Sequence, residues 1–235
     1  MRPTTLRPEP PAPAGWEVLR RRSLPRALRQ ARDLATPMRI VAAAENIFAE
    51  QGLAGARMEE IARAAKVNKA LLYYYFRSKE ELHRFVLEAL FSQLRAGVDQ
   101  PQMAALSPAE RLGAIVDNFF QFVQRHPNYP RLVQRELMDR GRNLDWIARE
   151  YYRPLHRRLL RTIEEGIAKG HFRAMDAPNA AFSVVSLMVF YFAAAPVLSR
   201  LQGRDVLGPR EVARRRKAVQ DFIEHGLFRR KAGAR

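Results

Sequence analysis

The stretch RMEEIARAAKVNKALLYYYFRSKEEL, residues 57–82, constrains this chain more than any other segment. It predicts a short helix, a tight turn, a second short helix and the start of a long helix at Ser78. Ile61 and Ala62 on the first helix, Val67 in the turn, and Leu72 with Phe76 on the second close a small core. Lys69, Ala70 and Tyr73 fall on a different face, combining a cation, a small side chain that allows close approach, and a phenol. Tyr73, Tyr74 and Tyr75 cannot all enter a core, because successive helical residues lie ~100° apart. Asn68 is an N-cap for the second helix. Ser78 with Glu81 reads as a capping box, and the N–H groups beyond it, with Lys79, make a phosphate-binding end. This is the layout of a helix-turn-helix whose second helix enters a DNA major groove.

Residues 36–84 closely resemble the DNA-binding domain of the TetR family of bacterial transcriptional regulators. The family pattern is I-A-x-x-A-G-V-S-x-x-x-L-Y-x-x-F-x-S-K-E-x-L. It is matched here by Ile61, Ala62, Ala65, Val67, Leu72, Tyr73, Phe76, Ser78, Lys79, Glu80 and Leu82. The resemblance implies that Lys69, Ala70 and Leu71 face bases and that Tyr73, Tyr75 and Lys79 hold phosphates. Two positions depart from the pattern. Lys66 stands where a turn glycine is usual, which costs roughly 1 kcal/mol if the residue is left-handed. Ala56 and Arg57 stand where a Ser/Thr pair usually caps the helix, a loss of about 1 kcal/mol. Both departures add cations, so the expected DNA-contacting set is Arg57, Lys66, Asn68, Lys69, Ala70, Leu71, Tyr73, Tyr74, Tyr75 and Lys79.

Three regions are expected. Residues 1–35 form a Pro- and Arg-rich arm, disordered at its start. Its Arg20, Arg21, Arg22, Arg26 and Arg29 read either as minor-groove or phosphate contacts or as a solvated extension. No apolar signal core follows its charges. Residues 36–84 hold the DNA-binding domain, whose first helix starts at Thr36 as N-cap with Pro37 behind it and ends at Gly52. Residues 85–230 read as helix throughout, with segments at Ser78–Val98, Pro108–Arg125, Arg131–Arg140, Asp145–Lys169, Ala177–Leu201 and Pro209–Leu227. The fold class is all-α: a three-helix reading domain followed by a helical bundle for ligand binding and dimerisation.

The uncharged stretch 180–199 has the length of a membrane span, but an all-round apolar helix is also what a buried central helix looks like. The family resemblance favours the second reading, with this helix packed on its own domain and on a partner subunit. Phe182, Val185 and Val189 here, with Val212, Val219, Phe222 and Ile223 on the last helix, are the expected homodimer interface. The resemblance also puts an effector inside the bundle. Phe119, Phe122, Trp146, Tyr151, Met188 and Tyr191, with His156 as a polar group, are the expected lining, and their aromatic character suits a small hydrophobic or amphipathic molecule.

The net charge of +17 attracts nucleic acid or anionic membrane. A GC-rich genome gives the same charge, since 35 of the 41 basic residues are Arg. Residues 36–83 carry seven Lys/Arg against six Asp/Glu, so the charge is not concentrated on the motif. With no Cys, thiol catalysis and Cys-ligated zinc are excluded. Among the five His there is no paired metal spacing, and Glu80 with His83 is a single Glu-x-x-His expected at the surface. No catalytic or cofactor fingerprint occurs, so neither enzyme, cofactor nor metal is expected. The expected protein is a cytoplasmic dimeric regulator, a repressor that binds a palindromic double-stranded operator and is released by a ligand, with no membrane partner. The alternative is a basic helical protein that binds a partner or a membrane surface without reading DNA sequence.

Overall fold

The computed structural model describes residues 25, 27–28, 34–138 and 143–229. Of the basic arm, Arg20, Arg21, Arg22, Arg26 and Arg29 lie outside the described residues. Helices follow one another as α1 (Ala35–Gly55), α2 (Met58–Ala64), α3 (Lys69–Tyr75) and α4 (Lys79–Val98). After a 3-10 turn at Pro101–Ala104 come α5 (Pro108–Arg125), α6 (Tyr129–Met138) and α7 (Leu144–Ile147). Helix α7 runs through a π-helical stretch, Ala148–Tyr152, into α8 (Arg153–Ala168). The last three are α9 (Ala177–Ala193), α10 (Ala195–Gln202) and α11 (Pro209–Leu227). Among the described residues there is no strand, only one antiparallel bridge between Phe172 and Phe228. The chain divides into two compact units between Ala89 and Leu90.

In the first unit, α1 begins after Leu34 rather than capping on Thr36, whose hydroxyl instead accepts a long 3.5 Å bond from Arg39. Gly52 takes φ 71 and ψ 176, a conformation open to glycine, and breaks the helical path before its last residues. Ile40, Ala44, Ile47 and Phe48 of α1 meet Ile61, Leu72, Phe76 and Leu82 in a closed apolar centre. His83 is buried there too, edge-on to Phe48 at 4.7 Å, not at the surface as expected. The reason is its register on α4, one residue after Leu82 and two before Phe85, both inward.

In the second unit, Ser107 and Glu110 form a reciprocal capping box that starts α5. Phe91 is fully buried, with the rings of Tyr129, Tyr151 and Tyr152 at 5.5, 5.3 and 5.3 Å from it. Gly166 of α8 lies so close to Phe172 that a Cβ there would fall 2.2 Å from the ring. The expected helix 177–201 is two helices, α9 and α10, meeting at 67°. Pro196 is the cause: it has no N–H to offer the Phe192 carbonyl, and its ring would press on that carbonyl in a straight helix. No single helix among the described residues is long and apolar enough to cross a membrane; the bent pair would pass on length and composition alone.

Candidate nucleic-acid interface

Helix α3 is short because it is fixed at both ends. Asn68 is extended, and its Oδ1 accepts the Leu71 N–H at 2.7 Å, which sets where the helix begins. Phe76 at the other end returns to extended backbone and is fully buried. With Leu72 also buried, one side of α3 is fastened down. The opposite side presents Lys69, Ala70, Tyr73 and Tyr74 to solvent, Tyr74 at 61% exposure and Tyr73 at 40%. Tyr75 and Leu71 are half-buried, and the Tyr74 and Tyr75 rings meet edge-on at 5.1 Å.

The turn before α3 depends on Lys66, at φ 55 the one non-glycine residue in the left-handed region among those described. Its N–H donates to the Arg63 carbonyl at 3.1 Å, and Val67 N–H to the Ala62 carbonyl at 3.0 Å. The Lys66 side chain stands exposed in the turn. Arg39 of α1 closes the same corner, its Nε donating to the Ala65 carbonyl at 3.4 Å. Arg57 is the N-cap of α2 and makes no capping bond with its side chain, so the guanidinium is left at the surface. Glu59 and Glu60 in the first turn of α2 supply the negative charge that a helix start favours.

Two lysines stand differently from their expected solvent-facing roles. Lys69 is hydrogen-bonded to Glu59, and its ammonium lies 5.8 Å from the centre of the Tyr73 ring. That bond lowers the Glu59 carboxyl below its ordinary range and raises the Lys69 ammonium above its own. Glu59 therefore belongs to the site although it was absent from the expected set. Its signal in the sequence is its place in the first turn of α2, matching Lys69 in the first turn of α3. Lys79 turns back instead of standing free: its Nζ donates to the carbonyls of Ala56 at 3.0 Å and Ala54 at 3.3 Å. These carbonyls lack helical partners because the chain leaves α1 after Gly55 and runs extended through Ala56 and Arg57, so Lys79 closes the turn between α1 and α2. At the start of α4, Ser78 Oγ accepts the Glu81 N–H at 3.1 Å, while the Glu81 carboxylate takes the N–H of Arg77, one residue ahead of the cap.

The arrangement is a fixed helix offering a cation, a methyl and two phenols on one side, with further cations at Arg57 and Lys66. It carries donors for phosphate and for base edges. Residues 40–84 match the family described as "Bacterial regulatory proteins, tetR family", and residues 108–223 match "Tetracyclin repressor-like, C-terminal domain". A transcriptional repressor of Streptomyces coelicolor, SCO4008, is 33% identical over 155 residues, covering 65% of this chain and 76% of that protein. The chain belongs to the TetR family of bacterial transcriptional regulators. A second TetR-like relative, the transcriptional repressor NicS of Pseudomonas putida, is 28% identical over 200 residues, 81% of this chain and 91% of that one. Among solved structures, the ketosteroid regulator KstR2 of Mycobacterium tuberculosis superposes with a TM-score of 0.69 over 86% of this chain and 98% of its own. At 19% identity that likeness speaks for the TetR fold alone.

The remaining expected residues lie in the second unit. Phe122 packs on His126 and Tyr129, and Tyr151 on Phe91 and Trp146; Tyr129 also meets Phe91, so these six rings form one group. Tyr151 also shares a hydrogen bond with Ser92 at 3.1 Å. Phe119 belongs to a second group with Phe120 and Phe192, which Tyr191 joins; the Tyr191 hydroxyl donates to the Val206 carbonyl at 2.7 Å. Met188 is buried on α9. His156 is a correction: it lies exposed on α8, one turn ahead of Leu159, where the buried stripe of that helix begins.

The expected interface set also divides. Val212, Val219 and Ile223 are buried in the chain's own core, so they offer no surface to a partner. Their spacing marks the stripe by which α11 packs within the chain. Phe222 at 62% exposure, Phe182 at 69% and Val189 at 39% face outward, with Val185 half-buried beside them. Phe190 at 70% adds to this face and was missed. Ser183 and Ser186 do not make it polar, since each hydroxyl donates to the carbonyl four residues earlier.

Proposed function

We propose that this TetR-family chain is a repressor that binds a palindromic operator as a homodimer and leaves it when a small hydrophobic or amphipathic ligand binds the second unit. The observation that carries the reading is the outward side of α3, where Lys69, Ala70 and Tyr73 stand together on a helix fastened by Leu72 and Phe76. In this reading Lys69 exchanges Glu59 for a base edge and Ala70 and Leu71 approach bases. Tyr73, Tyr74 and Tyr75 hold phosphates together with Arg57 and Lys66. Asn68 sets the start of the helix, and Lys79 acts by holding the turn before α2 as well as by its charge. The names of SCO4008 and NicS, both repressors, support the direction of regulation.

A single α3 reads only a few base pairs, so two copies about 34–36 Å apart are required for a palindrome. The outward Phe182, Val185, Val189 and Phe222 supply an apolar face of the kind that pairs about a two-fold axis. The ligand is received among Phe119, Phe122, Trp146, Tyr151, Met188 and Tyr191, and it acts by favouring a spacing of the two α3 helices that DNA does not accept. The protein works in the cytoplasm. Selection from a randomised duplex pool, followed by sequencing, tests the reading. A recovered inverted repeat is the expected result; binding without any motif would overturn it. On the recovered operator, Lys69→Ala is expected to relax sequence preference, and Tyr73→Phe to weaken all sequences evenly.

A further inference from the structure

Helix α8 turns Leu159, Thr162, Ile163 and Gly166 inward. Its outer side carries Arg153, Arg157 and Arg161 at successive four-residue steps, all exposed, with His156 beside them and Arg149 one turn earlier. Along the helix axis the three arginines span about 12 Å in steps of about 6 Å. Among the described residues, none of these three has a carboxylate within ion-pairing distance. Of the acids nearby, Glu150 lies 3.7 Å from Arg149 and Asp99 2.6 Å from Arg158, while Glu164, exposed one turn after Arg161 on the same side, pairs with none of the three. Like charges four apart oppose the helix that carries them, so this stripe works against its own fold and a bound polyanion would relieve it.

We propose that the outer side of α8 is a second, sequence-independent contact for the phosphate backbone of a nucleic acid, separate from the reading helix α3. Charge complementarity selects the partner class. Guanidinium forks bind phosphate with two parallel hydrogen bonds, and a strand offers about three to four phosphates over the length of the stripe. A membrane surface fits poorly, because an interfacial helix needs apolar side chains to insert, and none of the exposed large apolar side chains lies on α8.

The test is the salt dependence of full-length protein binding to a mixed-sequence duplex that lacks an operator, followed by fluorescence anisotropy. Replacing Arg153, Arg157 and Arg161 together by Gln is expected to lower the slope of log K against log salt by about 2 to 3. Replacing the same three by Lys is expected to keep most of the slope. Gln at Arg125, Arg131 and Arg200, three exposed arginines elsewhere in the same unit, is the control for net charge. Helix content by circular dichroism shows that each variant is folded. An unchanged slope in the Arg153/157/161 variant, or an equal fall in the control, would overturn the proposal. So would binding of α8 to phosphatidylserine vesicles with no effect on DNA. A lost operator motif with an intact non-specific slope would instead count against the α3 reading and leave this one standing.

Discussion

Helices α2 and α3 are seven residues each, and a single local bond, Leu71 N–H on Asn68 Oδ1, decides where α3 begins. The helices of the second unit run to 19 residues and are placed by side-chain packing with distant segments, Phe91 with Tyr129 and Tyr151, Gly166 with Phe172, Gln220 with Asp117. In the first unit a cap and a turn set where α3 begins, and Leu72 and Phe76 hold its outward face in place. In the second unit the rings depend on partners far away in sequence, so the loss of one large side chain is expected to be felt across several helices. The charge divides the other way: the reading motif is nearly neutral, and most of the excess Arg lies beyond it.

The contrast breaks most clearly at Phe91. Phe91→Ala is expected to cost about 3–5 kcal/mol in denaturant unfolding, because three tyrosine rings lose their common partner. If the first unit lost as much as the second, the division would fail. Acid acts on both units alike. Burial pushes His83 in the first unit, and His126 in the second, down to about 4. Both are neutral when folded, whereas an unfolded histidine takes its proton near 6.5. Stability is therefore full above that pH and falls as pH drops from about 6.5 towards 4. The His83 share of the loss is about 3 kcal/mol by pH 4. Unfolding of His83→Leu followed against pH should show a flatter profile; an identical profile would remove His83 from the account.

Gly166→Ala sharpens the comparison at a smaller scale, with an expected loss of about 1–3 kcal/mol as Phe172 is forced aside. Operator affinity at a temperature where the variant is fully folded should be unchanged. The local devices come last. Lys66→Gly should raise stability by about 1 kcal/mol by relieving the left-handed turn, and Arg57→Ser by about 1 kcal/mol by restoring a cap. Thermal melts read both, and salt titration on DNA should show that each also removes a cation from the interface.

The same division explains what could be read beforehand. Asn68, Ser78, Gly52 and Lys66 act within a few residues of themselves, so caps, turn and helix order in the reading motif are legible from the chain. The starts and ends of α5 and α11 are legible for the same reason, through Ser107 with Pro108 and through Pro209. What long-range packing decides is less open. Val212, Val219 and Ile223 form an apolar stripe whether they meet their own core or a partner, and only the surrounding helices decide between the two. His156 and His83 share a residue type and each sits on the apolar side of its helix, yet one is exposed and the other buried, because only the neighbouring segments decide which turns are covered. Pro196 was visible as a breaker, yet its effect was masked by an apolar run that reads as continuous on both sides of it. Glu59 is in the site through a bond ten positions away, so its place in the first turn of α2 gains meaning only once α2 and α3 pack together.

The pairing of Phe172 with Phe228 has a kinetic consequence. It ties the loop after α8 to the end of α11 through Arg173 N–H on the Leu227 carbonyl and Arg229 N–H on the His171 carbonyl, with a ring contact at 5.1 Å. A further bond, from Arg173 Nε to the Gly226 carbonyl, joins positions 53 apart. Closing so long a stretch costs chain entropy that two backbone hydrogen bonds repay only after α9, α10 and α11 are in place. The clasp is therefore expected to close only after those helices have packed, and limited proteolysis during refolding would read when the 171–173 and 226–229 segments become protected.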